Sequence, residues 1–234
     1  MEFAVIMASG LGTRMRPLTD NTPKPLLNVN GKPMVETVID ALEKRGVAEI
    51  AIVVGYLGEQ FAYLTEKYDN VRLFINRDYE TVNNISSIYY AREFLRAGDC
   101  FICEADLFLH KETVLCRDLK QSGYFGKRVN GHTDDWVFDQ DESGRITRVG
   151  KVGDDCFAMV GVSYFRREDA ALIADAVENA YGEGDYEELF WDEIVDRNLD
   201  ELNLCVYPLE EDEIIEIDTP QELEAVNERF GGKA

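Results

Sequence analysis

Along this chain, short unbroken apolar runs alternate with longer amphipathic stretches. Phe3-Ala4-Val5-Ile6-Met7 is apolar throughout, the pattern of a strand covered on both faces. Pro33–Arg45 gathers Met34, Val38, Ile39 and Leu42 on one helical face, and Gly46 is placed to end it. Glu49–Val54 predicts the next strand. A helix is expected from Gly55-Tyr56 through Tyr68, then a strand at Val71–Asn76, a helix at Asn84–Leu95 and a strand at Cys100–Asp106. This β-α-β-α-β rhythm predicts parallel strands with helical crossovers, hence a doubly wound sheet.

The pattern then changes. Trp136–Asp139 and Arg145–Val149 flank Asp141-Glu142-Ser143-Gly144, a turn signal, and so predict an inserted hairpin. Phe157–Phe165 reads as a strand, Glu168–Tyr181 and Tyr186–Arg197 as helices, and Leu204–Pro208 and Ile214–Ile217 as short strands. Pro220 opens a last amphipathic helix to about Phe230. With no linker, repeat or low-complexity segment, one α/β domain with an inserted, mostly β subregion is expected. A chain of 234 residues suffices for such a core.

Charge narrows the partners. Forty-six acidic residues against twenty-four basic ones give a net charge of −22, which argues against nucleic acid or an anionic membrane surface as a partner. No apolar run approaches the ~20 residues of a membrane span. The N-terminus carries Glu2 and no basic segment, so it does not read as a secretory signal. The five cysteines are an odd number, and Cys100 and Cys103, three apart on a strand, face opposite sides and cannot chelate one metal. Free thiols in a reducing cytoplasm are expected. The local balance is different at the start: residues 1–32 hold Arg14, Arg16, Lys24 and Lys32 against only Glu2 and Asp20. An acidic protein that takes an anionic substrate needs such a cationic patch or a metal.

The patch follows the first strand. Ala8-Ser9-Gly10-Leu11-Gly12-Thr13-Arg14-Met15-Arg16-Pro17-Leu18-Thr19 leads to Thr22-Pro23-Lys24-Pro25-Leu26-Leu27. Glycines let backbone N–H groups approach an anion, and fixed cations neutralise it. No Walker A pattern is present, and the third glycine of a dinucleotide loop is missing. The whole string resembles the signature of nucleotidyltransferases, the enzymes that make NDP-sugars and similar activated head groups; Ser9 stands where that family usually has Ala or Gly. The resemblance implies a Rossmann-like, mixed-sheet fold of the nucleotide-diphospho-sugar transferase type. Residues 1–125 would be the nucleotide-binding part, 126–215 mainly the acceptor-binding part, and 216–234 a metal ligand with the final helix. It also implies that Ala8, Ser9, Gly10, Gly12 and Thr13 bind the nucleotide, that Arg14 holds the β- and γ-phosphates, and that Lys24 contacts the α-phosphoryl group. Such a transfer joins two polyanions, so positioning and neutralisation carry the catalysis.

Glu104-Ala105-Asp106 and Glu216-Ile217-Asp218 each end a predicted strand at its carboxyl end, where open α/β sheets bind ligands. The family takes one aspartate from each place for Mg²⁺, matching Asp106 and Asp218 here. Bacterial CTP:phosphocholine cytidylyltransferases are similar over the whole length. The matching stretches include residues 17–24, Val54-Gly55-Tyr56-Leu57, Asn83-Asn84 with Ser87, Phe190-Trp191-Asp192 and Glu216-Ile217-Asp218. By that likeness the partners are CTP and phosphocholine, with Asn83, Asn84 and Ser87 over the nucleotide. A quaternary ammonium is recognised by aromatic faces helped by carboxylates, so Trp136, Trp191, Asp192 and Glu216 are the acceptor candidates, and Lys151 and Arg128 candidates for the acceptor phosphate. Gly150-Lys151-Val152 replaces the Glu-Lys-Pro of sugar-using relatives. Rival readings are a related phospho- or phosphono-amine acceptor such as phosphoethanolamine or 2-aminoethylphosphonate, a sugar-1-phosphate acceptor, and a ligand-sensing relative without catalysis. The last is disfavoured because Arg14, Lys24, Asp106 and Asp218 are all present.

Overall fold

A computed structural model describes residues 1–231. The strands are β1 (Glu2–Ala8), β2 (Asn28–Val29), β3 (Lys32–Pro33), β4 (Glu49–Val54), β5 (Val71–Ile75), β6 (Asp99–Glu104), β7 (Leu107–Leu109) and β8 (Gly123–Arg128). They continue as β9 (His132–Gln140), β10 (Ile146–Asp154), β11 (Phe157–Phe165), β12 (Cys205–Leu209) and β13 (Ile214–Glu216). The helices are α1 (Met34–Arg45), α2 (Leu64–Lys67), α3 (Ile85–Ala97), α4 (Arg167–Glu183), α5 (Trp191–Arg197) and α6 (Pro220–Phe230). Among the described residues no helix is long and apolar enough to cross a membrane.

The main sheet is mixed. Its path runs β10-β9-β11-β6-β1-β4-β5, and β8 joins it by pairing with both β11 and β12. β1 lies parallel between β4 and β6, and β5 extends the parallel set, whereas β11 runs antiparallel to β6, β8 and β9. Side chains that alternate along β1 go to opposite faces. Ala4 and Ile6 pack with α1 residues Val38, Ile39 and Leu42, and Val5 packs with Ile85, Ile88 and Leu95 of α3. Cys100 and Cys103 fall into these two separate cores, and all five cysteines are free.

Two expected helices are interrupted. Between Gly55 and Tyr68 only a 3₁₀ turn (Gly58–Phe61) and the four residues of α2 form. Leu57 takes a left-handed φ of 49°, and the Tyr56 N–H donates to the Ser9 carbonyl at 3.1 Å, so this segment serves the loop after β1 rather than a helix. A Cβ at Gly55 would lie 2.8 Å from the Ser9 carbonyl oxygen and 2.6 Å from the Tyr79 ring, which explains the glycine. The second interruption shortens the Tyr186–Arg197 helix to α5. Residues 187 and 188 instead accept hydrogen bonds from Asn83 through their carbonyls. The hairpin does form, as β9 and β10, with strands longer than expected. Apolar patterning did not reveal β7 and β8, which are three and six residues long.

Three chain ends converge because of this topology. The register sets Met7 opposite Glu104, so the loop after β1 and the end of β6 leave the sheet side by side. β13 pairs antiparallel with β7, Glu216 opposite Leu107, and the Ile217 N–H donates to the Asp106 carbonyl at 3.2 Å. Asp218 is then fixed from the other side. Thr219 caps α6 by accepting from the Glu222 N–H, and the Glu222 carboxylate accepts from the N–H groups of both Asp218 and Thr219.

Where β8 meets β12 the backbones lie in close contact. A Cβ on Gly123 would come within 2.2 Å of the Cys205 carbonyl oxygen. Gly123→Ala is therefore expected to destabilise the protein by about 2 kcal/mol, read as a lowered urea midpoint with the slope unchanged.

Candidate active site

The loop after β1 gets its shape from Gly12, whose φ is 60°. A Cβ there would press on the Lys24 side chain at 2.9 Å and on Thr19 at 3.2 Å. The Thr19 hydroxyl donates to the Gly12 carbonyl at 2.8 Å, and Thr13–Met15 close a 3₁₀ turn that carries Arg14 outward. Ser9 is buried; its hydroxyl donates to the Val53 carbonyl at 3.1 Å and lies 3.2 Å from the Ser87 hydroxyl. A hydroxyl at this position thus ties the loop both to β4 and to the start of α3.

Lys24 is almost fully buried, with 7% exposure, and its Nζ lies 2.6 Å from Asp106 Oδ2 and 2.6 Å from Asp218 Oδ1. Arg14 also reaches Asp218 Oδ1, at 2.7 Å, from a side chain that is mostly exposed. Burial opposes the Lys24 charge, but the two aspartates outweigh it and hold its pKa above the ordinary lysine value. One oxygen from each of Asp106, Glu216 and Asp218 lies within 4.8 Å of the others. Burial, and then the charges of Asp106 and Asp218, push the Glu216 carboxyl up to about 8. Glu104 is pushed well above the usual carboxylate range, by burial first and then by the charges of Asp106, Glu216 and Asp192. Two cations already sit on this carboxylate group. Its hard oxygens are the donor set that suits Mg²⁺.

These groups open onto a cleft of about 540 Å³. Ala8, Ser9, Gly10, Gly12, Thr13, Arg14, Lys24, Asn83, Asn84, Ser87, Asp106 and Glu216 all line it. The wall also includes Glu104, Asn76 and Tyr79, to which sequence reasoning gave no role. For Glu104 the signal was available, since it precedes Asp106 by two residues at the end of a strand. Asn76, a buried amide donating to the Ser86 hydroxyl at 2.8 Å, carried none.

Asn83 and Asn84 do more than face the cleft. The Asn83 N–H donates to the Glu187 carbonyl at 2.7 Å, its side-chain amide donates to the Glu188 carbonyl at 3.3 Å, and the Asn84 side-chain oxygen accepts from the Trp191 N–H at 3.0 Å. The two asparagines strap the approach to α5 onto the cleft wall.

Of the acceptor candidates, Glu216 is on the wall of the cleft, and Trp191 lines a small side cavity whose wall shares Met7 and Glu104 with it. Trp191 is 3% exposed, packed against Tyr124 and Phe165, because α5 turns Trp191, Ile194 and Val195 inward together. Asp192 is also 3% exposed and accepts from the Tyr124 hydroxyl at 3.2 Å. Trp136, on β9, meets the edge of Phe190 with ring centres 5.4 Å apart. Lys151, opposite it on β10, holds its ammonium 5.5 Å from the Trp136 ring and 4.8 Å from the Phe190 ring. Arg128 lies over Phe157 at 5.5 Å. Trp191 is thus almost fully buried beside the side cavity, and the protein's own Lys151 lies against the Trp136 ring.

Burial pushes the Asp192 carboxyl up to about 7 from an ordinary value of 3.8. The folded state therefore holds a proton that the unfolded chain releases. The stability this confers is complete below about pH 4 and is lost as pH rises to 7. Asp192→Asn keeps the acceptor oxygen for Tyr124 and removes the titration. Its unfolding free energy should fall less steeply than wild type between pH 4 and 7, by up to about 4 kcal/mol over the window, as measured by urea titration at each pH.

Comparison with known proteins bears on what this cleft does. Residues 4–133 match the family described as a MobA-like NTP transferase domain. A 2-aminoethylphosphonate cytidylyltransferase of Lancefieldella rimae is 52% identical over 227 residues, covering 97% of this chain and 92% of the relative. A choline-phosphate cytidylyltransferase of Streptococcus pneumoniae is 37% identical over 96% of each chain. The solved structure of the CTP:phosphocholine cytidylyltransferase from Streptococcus pneumoniae superimposes with a TM-score of 0.89 at 38% identity, covering 98% of this chain and 99% of that one.

Proposed function

Because the chain belongs to the MobA-like NTP transferase family and is a nucleotidyltransferase, we propose that it transfers a cytidylyl group from CTP to 2-aminoethylphosphonate, releasing pyrophosphate. The observation that carries the acceptor is the 52% identity, over 97% of the chain, to a relative that bears this activity in its name. In this reading a phosphonate oxygen attacks the α-phosphorus of CTP. A P–O bond forms there, the bond from the α-phosphorus to the bridging oxygen breaks, and the electron pair leaves on pyrophosphate. No proton has to move, because the attacking oxygen is already anionic.

The residues on the cleft wall fit these tasks. Lys24, locked between two carboxylates, brings a fixed positive charge to the α-phosphoryl oxygens as charge moves toward the leaving group. Arg14 and the backbone amides from Gly10 to Thr13 hold the departing phosphates. Asp106 and Asp218, with Glu216 beside them, would hold Mg²⁺, which when bound neutralises phosphate charge. Asn83, Asn84 and Ser87, which line the same cleft, would contact the nucleotide. Free thiols throughout support a cytoplasmic location, where CTP is made.

Phosphocholine, the acceptor expected from sequence, is the second reading. It is supported by the 37% identity to the choline-phosphate enzyme. The aromatic arrangement favours it less. A trimethylammonium group donates no hydrogen bond and needs accessible ring faces, yet Trp191 is buried and Lys151 lies against Trp136 and Phe190.

Pyrophosphate release from CTP with 2-aminoethylphosphonate, phosphoethanolamine, phosphocholine and glucose 1-phosphate tests the assignment. The phosphonate should give the highest kcat/KM, by at least about tenfold, or about 1.4 kcal/mol. A preference for phosphocholine would select the second reading, and one for the sugar phosphate would reject both. Separately, Lys24→Ala should lower kcat by about 100-fold or more while calorimetry still detects CTP binding. An unchanged kcat would remove Lys24 from the mechanism.

A further inference from the structure

Glu104 is the last residue of β6 and lines two spaces at once. One is the main cleft. The other is a side cavity of about 10 Å³, walled by Met7, Tyr124, Met159 and Trp191. Three neighbouring carboxylates form a group whose oxygens lie within 4.8 Å of one another and which is served by Lys24 and Arg14. Glu104 stands outside that group. Among the described residues no ion pair or hydrogen bond reaches its carboxylate.

The surroundings keep a place for this carboxylate. Gly161, on the facing strand β11, has a φ of 72°, and a Cβ there would lie 2.7 Å from Glu104 Oε2. Any side chain at Gly161 would sit on the carboxylate. Glu104 thus faces both spaces with no cation of the protein paired to it, and a ligand ammonium can fill that place.

Resting on the aminoalkylphosphonate reading above, we propose that Glu104 is a specificity-determining residue that receives the acceptor's primary ammonium group at the mouth of the side cavity. A primary ammonium is the size of a water molecule and brings three N–H donors to the carboxylate. The cavity has room for about one water-sized group. A trimethylammonium is larger than this space and has no donor to offer. A single residue, Ala105, separates Glu104 from Asp106, so a phosphonate beside Lys24 and an ammonium at Glu104 occupy the same cleft.

Steady-state kinetics of wild type and Glu104→Gln, with CTP saturating, test the proposal. The acceptors are 2-aminoethylphosphonate and propylphosphonate, in which a methyl group replaces the ammonium. The variant should raise KM for 2-aminoethylphosphonate by about tenfold or more. Its kcat/KM for propylphosphonate and its calorimetric affinity for CTP should stay as in wild type, the latter showing that the cleft is folded. Equal losses with both acceptors would assign Glu104 to the transfer step and overturn the proposal, as would an unchanged KM. A wild-type enzyme that prefers phosphocholine would instead overturn the acceptor reading, and the proposal with it.

Discussion

The Lys24 ammonium, held at 2.6 Å from each of two aspartates, is the contact around which the cleft is organised. It joins residues 82 and 194 positions away along the chain. Such a contact exists only if the loop after β1, the end of β6 and the turn before α6 leave the sheet at one point. The parallel register of β1 with β6 and the antiparallel pairing of β13 with β7 bring that about. Each partner alone would be a buried charge. Together they cost little, and they fix the geometry of a site that must handle several phosphates.

The same arrangement reconciles the charge of the chain with its chemistry. A protein of net charge −22 repels polyanionic substrates at long range. Within the cleft the carboxylates are gathered into one group and faced by cations. Local sign, rather than total charge, decides what is bound there.

Much of the parallel half was legible in the sequence because its signals are local. An unbroken apolar run, a glycine at a helix end and prolines flanking a lysine each specify backbone within a few residues. The bounds of β4, β11 and α6 follow directly from such patterns. The failures were of another kind. The segment from Gly55 to Tyr68 has helical composition, but its backbone is held by Ser9, more than forty residues earlier, and no helical period encodes that. Trp191 beside Asp192 read as half of an aromatic site, yet their place depends on how far α5 rotates toward the sheet, which only the packing of Tyr124 and Phe165 settles. Glu104 was visible but undistinguished in a chain with forty-six acidic residues. That no cation pairs with it directly is a property of three dimensions.

The branching of the sheet at β11 has a consequence for how such a protein can diversify. β11 pairs with β8 along one edge and, at different residues, with β9 and β6 along the other, so the β9–β10 arm hangs from it and makes no ladder with the parallel strands. Substitutions, insertions or a change of twist in that arm are absorbed at a single joint and leave the β1–β6 register undisturbed. A scaffold of this kind can vary one appendage by drift while the machinery of group transfer is inherited intact.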